Sequence, residues 1–289
     1  MAFQARKKIG GMMLSSALWA LTMGTAFADS PTPGVGEPAP WQMGLQGAAT
    51  PVMEYIVWFH SYVMWFIVPI TLFVMVLLLY VIFRFNKKAN PIPSKVTHHT
   101  GIEIAWTVIP ILILVAIAIP SFRLLFLEQT IPTPDLTIKA TASQWSWDYE
   151  YPDNGDFTFT SVMRRDEDKV KADGQPWLLA VDNEVVVPVN KIVRVQVTGA
   201  DVVHAFAVPS FGIKIDAIPG RLNETWFQAT REGWYYGQCS QLCGHDHAFM
   251  PIAVHVVSND DFQKWVAGKK AAMNGTNSNE VASAAAIIK

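Results

Sequence analysis

Two long stretches without a charged side chain decide what this chain can fold into. Ser61 to Phe83 carries no Asp, Glu, Lys or Arg over 23 positions, and Ile104 to Phe122 repeats the pattern between Glu103 and Arg123. As a helix rising 1.5 Å per residue, the first would reach roughly 34 Å, enough to cross a hydrocarbon core of about 30 Å. Pro69, Pro110 and Pro120 inside these runs are tolerable in membrane helices. The link Phe85 to Gly101 carries Lys87, Lys88 and Lys95, with Arg84 at its edge and no acid. That basic excess places the hairpin loop in the cytoplasm and both termini of the mature chain outside. Trp58, Trp65 and Trp106, near the span ends, suit interfacial anchoring.

The first 28 residues read as an export signal. Arg6, Lys7 and Lys8 form a basic start, Ile9 to Leu21 is uncharged and largely apolar, and Ala26-Phe27-Ala28 fits a small-x-small cleavage site, so the mature chain starts near Asp29. The expected organisation is a signal at 1–28, an outer N-terminal segment at 29–54, two spans with their loop at 55–128, an outer domain at 129–266 and a low-complexity tail at 267–289. After about Glu128 the texture changes to short apolar–polar alternations bounded by Pro, Gly and Asn, which predicts strands. Leu136, Ile138 and Ala140 alternate with polar residues, as do Val193, Val195 and Val197. Val185-Val186-Val187-Pro188 reads as a buried strand stopped by proline. Half a dozen or more such strands imply a sandwich or Greek-key barrel. A short helix with Trp265 follows from Asp260.

The only two cysteines, Cys239 and Cys243, stand in a loop between the strand-like runs Trp234–Tyr236 and Ile252–Val257. The same loop carries His245, His247 and Met250. Thiolate, imidazole and a weak thioether are the ligands that select copper in electron-transfer sites. A single-copper site needs one thiolate and two imidazoles. A second cysteine asks instead for two thiolates bridging two copper ions, each metal ending on one histidine. His204, just past the Val193–Val197 strand, is the distant histidine that a Greek-key barrel can bring to this loop. The alternative is a local disulfide.

In these motifs the chain resembles subunit II of the haem-copper cytochrome c oxidases, from about residue 40 to 266. The resemblance rests on the two spans with a basic hairpin, Gln144-Trp145-Ser146-Trp147 with Tyr149 and Tyr151, Asp201 to Phe206, Asp216 to Arg221, and the spacing Cys-x3-Cys-x3-His-x2-Met. It implies a two-helix transmembrane hairpin followed by an all-β cupredoxin-like Greek-key barrel domain holding a binuclear copper center, CuA. In that reading Cys239 and Cys243 bridge the metals, His204 and His247 are terminal ligands, and Met250 and the backbone carbonyl of Gln241 are weak ligands. His245 is then a bystander. Trp145 would admit electrons from cytochrome c, although with Trp147, Tyr149 and Tyr151 it also reads as one aromatic core face of a strand. Glu103 would lie at the mouth of a proton-uptake path, or serve as a first-turn acid. Asp216 and Arg221 match positions at the contact with subunit I, or form an ion pair. The family usually has Glu where Gln241 stands, so Mg²⁺ at the subunit I boundary should be weak or absent.

The resemblance implies the electron-entry subunit of a proton-translocating oxidase in a bacterial plasma membrane, inactive alone, with subunit I, subunit III, cytochrome c and membrane lipid as partners. Nucleic acid is excluded by composition. A copper-free quinol oxidase subunit, a membrane-anchored copper carrier or thiol-disulfide protein of the assembly pathway, and a purely structural subunit are the competitors. No Cys-x2-Cys-His motif is present, so the chain carries no cytochrome domain of its own. His60, His98, His99 and His255 read as structural. The net charge of −2 hides a separation: Ile131 to Val266 holds 11 basic and 18 acidic residues, −7, against +5 elsewhere. Asp148, Glu150, Asp153 and Asp156 lie close to Trp145 in sequence. That suits a basic partner whose association slows as salt rises.

Overall fold

The computed structural model describes residues 36–287, so the export segment read at 1–28 lies outside the described residues. Helix α1 (Pro51–Arg84) opens with Thr50, whose side chain accepts from the Met53 amide, and has Pro51 in its first turn. Glu54 near its start and Arg84 at its end suit the helix dipole. Its 34 residues extend roughly 51 Å. That exceeds the bilayer core, and the first turn, with Val52 and Met53 buried, docks on the outer domain. Helix α2 (Thr100–Gln129) lies against α1. Pro120 has no N–H to give the carbonyl of Ala116, one turn earlier, and Tyr62 of α1 donates its hydroxyl to that carbonyl at 3.1 Å. Both helices are long and apolar enough to cross a membrane.

The outer domain is built of ten strands. A five-stranded sheet runs in the order β3 (Phe157–Ser161), β2 (Ser146–Tyr151), β1 (Leu136–Ser143), β5 (Ile192–Gly199), β8 (Asn223–Gln228). Its pairs are antiparallel except β1 with β5, which run parallel. A second sheet sets β10 (Pro251–Val257) between β4 (Val185–Pro188), parallel to it, and β9 (Gly233–Gln238), antiparallel. Strands β6 (His204–Val208) and β7 (Ile213–Ala217) form an antiparallel pair. Alternation on β1 and β5 buries Ile138, Ala140, Val193, Val195 and Val197, and these meet Val187, Tyr235, Ile252 and Val254 of the second sheet in one core. Pro188 closes β4 at a sheet edge, where its missing donor costs nothing.

Three differences from the sequence reading have physical causes. Trp147, Tyr149 and Tyr151 share the buried face of β2, but Trp145 stands in the turn before that strand and is only half-buried. The terminal helix α4 (Asn259–Ile287) runs on through the segment read as tail, in keeping with the helix propensity of its many alanines. A short helix α3 (Glu167–Ala172), capped by Asp166, interrupts the strands. Ahead of α1, the described residues 36–49 form no regular element, yet they are tied down: Ala49 exchanges backbone bonds with Ser210 and Thr230, and Gly36 accepts from Tyr236.

Candidate metal centre

Three strand ends meet at the cysteine loop. His204 is the first residue of β6, Cys239 follows β9, and Met250 precedes β10. The approach of β6 to β9 depends on Gly237, where a Cβ would sit 1.9 Å from the Ala207 carbonyl oxygen. With that side chain missing, Ser240 donates its amide to Ala205 at 3.1 Å, and His204 comes beside Cys239.

The side chains form a row. The Nδ1 of His204 lies 3.9 Å from the Sγ of Cys239, which is 3.9 Å from the Sγ of Cys243, which is 3.5 Å from the Nδ1 of His247. The Sδ of Met250 is 3.6 Å from Cys243, and the Gln241 carbonyl accepts from Cys239 at 3.3 Å. The sulfurs are far beyond the ~2.05 Å of a disulfide, and both cysteines are free. Ligand atoms of His204, Cys239 and Cys243 all lie within 4.8 Å of one another. His204, both cysteines and Met250 are buried. Two thiols, two imidazole nitrogens, a thioether and a carbonyl converging in a nearly dry pocket fit soft copper, not Mg²⁺ or Ca²⁺. Burial first, and then the neighbouring Cys239, push the Cys243 thiol up to about 12.

The transmembrane and outer parts of this arrangement each match a described family. Cytochrome C oxidase subunit II, transmembrane domain, matches residues 38–124, and Cytochrome C oxidase subunit II, periplasmic domain, matches residues 136–257. The chain belongs to the cytochrome c oxidase subunit II family. A probable cytochrome c oxidase subunit 2 of Rickettsia bellii is 54% identical over 84% of this chain and 90% of its own length. Cytochrome c oxidase subunit 2 of Cereibacter sphaeroides is 46% identical over 80% of the chain and 82% of its own. The periplasmic domain of subunit II (CoxB) of Bradyrhizobium japonicum, a crystal structure, is 63% identical over 49% of this chain and 98% of its own, with a TM-score of 0.46. The two apolar helices and the subunit II transmembrane match fit a bacterial membrane protein whose outer part matches the subunit II periplasmic domain.

Within this subunit II chain, the structure brings His204, Cys239, Gln241, Cys243, His247 and Met250 together. Trp145 adjoins the loop: Gln144 donates its side-chain amide to the Cys243 carbonyl at 2.7 Å. Glu103 lies apart, in the first turn of α2, roughly 35 Å down the helix from the outer domain. There its Oε1 accepts from the His99 amide at 3.0 Å, while the His99 ring accepts from Ile102 as the helix cap. His255 stacks on Trp234 at 3.9 Å. Among the described residues no ion pair joins Asp216 to Arg221; the Asp216 carbonyl accepts from Asn223 instead.

Asp201 went unnoticed as a site residue. Its carboxylate meets the Nε2 of His204 at 2.9 Å, which leaves Nδ1 for the cluster, and accepts the Gln144 amide at 2.7 Å. Burial works to raise this carboxyl, but the bonds from His204, Val202 and Gln144 outweigh it and hold it below the usual carboxylate range. The signal was present as an acid three residues before a candidate histidine ligand, since ligating histidines commonly give their other nitrogen to a carboxylate. Asp201→Ala is expected to weaken copper binding about 10- to 100-fold, measured by competition with a chelator. Unchanged affinity would mean that packing alone orients His204.

Proposed function

We propose that this chain is the electron-entry subunit of a proton-pumping cytochrome c oxidase. It would accept electrons from reduced cytochrome c at a binuclear CuA center and pass them to haem in subunit I, where oxygen is reduced to water. The convergence of two free thiols with His204 and His247, in a row of 3.5–3.9 Å steps, carries this reading. Bound there, a copper pair supplies a one-electron relay. Cys239 and Cys243 would bridge the metals, His204 and His247 close the ends, Met250 cap the Cys243 side, and the Gln241 carbonyl cap the Cys239 side.

The other residues hold that geometry still. Trp147, buried beneath the loop, donates its ring N–H to the Met250 carbonyl at 3.3 Å. Asp201 fixes the His204 tautomer and, through Gln144, the turn carrying Trp145. A rigid first shell limits rearrangement on each change of charge. Trp145 is read as the entry point on the outer surface, and Glu103 as the mouth of a proton-uptake path on the inner one. Gln241 offers a neutral amide in place of a carboxylate, so Mg²⁺ at the subunit I boundary is expected to be weak or missing. Subunits I and III and cytochrome c are the partners this role requires, with both mature termini in the periplasm and no oxidase activity in the chain alone. A copper carrier or thiol-disulfide protein is not favoured, because it does not call for the membrane hairpin or for distant His204.

Copper loading of the reduced, full-length chain tests this. Two coppers per chain with a purple colour and near-infrared absorption are expected. A colourless chain that keeps no copper would sink the reading.

A further inference from the structure

His245, which the family resemblance leaves without a role at the metal, is packed on Trp145. The two rings stand 4.1 Å apart between centroids at 70°, edge to face, nearer than the roughly 4.5–7 Å usual for aromatic pairs. Gly244, at φ +130, lies so near the indole that a Cβ there would come within 2.8 Å of Cζ2 and 3.4 Å of Cε2. The adjoining ring N–H is buried. Three contacts therefore tie Trp145 to the metal loop: Gln144 bonded to Cys243, Gly244 against the Cζ2–Cε2 edge of the indole, and His245 against the ring. The His245 side chain is itself 76% exposed, with Asp246 3.6 Å from its Nε2, and Asp246 is in turn paired with Arg165 at 3.4 Å.

We infer that His245 is a positioning residue for electron entry: its ring clamps the Trp145 indole to the metal loop and forms the outermost surface that a docking donor touches. The inference rests on the reading of Trp145 as entry point. An edge-to-face pair shifts the balance between held and loose indole roughly 2- to 12-fold. Loss of the clamp should therefore loosen the ring without disturbing the ligands.

Two measurements test it. In the full-length, metal-free chain, hydroxyl-radical labelling read by peptide mass spectrometry should rise at Trp145 by roughly 2- to 12-fold in His245→Ala and stay low in His245→Phe. In the copper-loaded oxidase, flash reduction with a photoactive cytochrome c should show a slower donor-to-subunit II phase in His245→Ala, restored in His245→Phe. The onward phase to haem and the copper content should match the parent in both variants. If Trp145→Phe slows entry while His245→Ala changes neither labelling nor the entry phase, the clamp is overturned and the entry point stands. Raised labelling with an unchanged entry phase, or a slow entry phase in His245→Phe with a protected indole, also overturns it. If Trp145→Phe leaves entry unchanged, the entry point itself is wrong.

Discussion

Cys243→Ser should abolish binuclear copper and, with it, electron acceptance from cytochrome c. Cys243 is the hub of the row, with Cys239, His247 and Met250 all within 3.9 Å of its sulfur. A serine hydroxyl is a harder, shorter donor that holds its proton at neutral pH, so it cannot bridge two soft metals. Losing a partner one step outside a metal shell already costs 10- to 100-fold. Removing a bridging ligand should lower turnover of the assembled oxidase by more than about 100-fold. Metal analysis with cytochrome c oxidation rates gives the answer, and a variant that keeps two coppers and normal turnover would refute the bridging role. The raised Cys243 thiol adds a direction with pH. Metal-free Cys243 keeps its proton below about 12. Copper must displace that proton, so apparent affinity should climb as pH rises toward that value.

Gly237→Ala should be the most damaging single methyl group in the outer domain. The new Cβ would meet the Ala207 carbonyl oxygen at 1.9 Å, its carbon at 2.9 Å and the Val208 Cα at 3.1 Å. All three are backbone atoms of β6, so no side-chain rotation relieves the clash. Strand β6 must move away from β9, taking His204 away from Cys239. Overpacking of this kind typically costs about 1–3 kcal/mol, and the clash with fixed backbone argues for the upper end or beyond. That is a large share of the roughly 5–15 kcal/mol that stabilises a folded domain. Gly47→Ala is the control, because nothing lies within 4 Å of a Cβ there, and it should shift stability by less than about 0.5 kcal/mol. Denaturant midpoints and copper occupancy of the two variants should diverge. Equal midpoints would show that β6 and β9 can part cheaply.

What could be read in advance was what the chain encodes locally. The helices followed from uncharged runs, β1 and β5 from apolar residues alternating with polar ones, and the loop ligands from the spacing of Cys239, Cys243, His247 and Met250. The unread part lies in contacts between distant residues. Asp201 reaches Gln144 across 57 positions, and Gln144 reaches Cys243 across 99. Neither pairing leaves a periodic trace. Trp145 reads in the sequence both as an entry point and as part of one strand face with Trp147, Tyr149 and Tyr151, because periodicity does not say where a strand begins. His245 could not be separated from solvent-facing loop residues until Trp145 was placed opposite it. Gly237 reads as a loop glycine just past Trp234–Tyr236 until β6 lies across it.

The mounting of the outer domain on its hairpin has a kinetic consequence. Ala49 bonds to Ser210 and Thr230, Thr50 donates its hydroxyl to the Phe211 carbonyl at 2.8 Å, Gly212 leaves room for Met53, and Trp226 donates to Leu127 at 3.3 Å. These attachments at the head of one helix and the foot of the other make a bracket, not a tether. A carrier on a flexible leash must search for its acceptor at every turnover. In the proposed role, a bracketed domain would hold its loop at one height and one angle above the bilayer, so the onward gap would be set once, when subunits assemble, and each electron would cross the same distance.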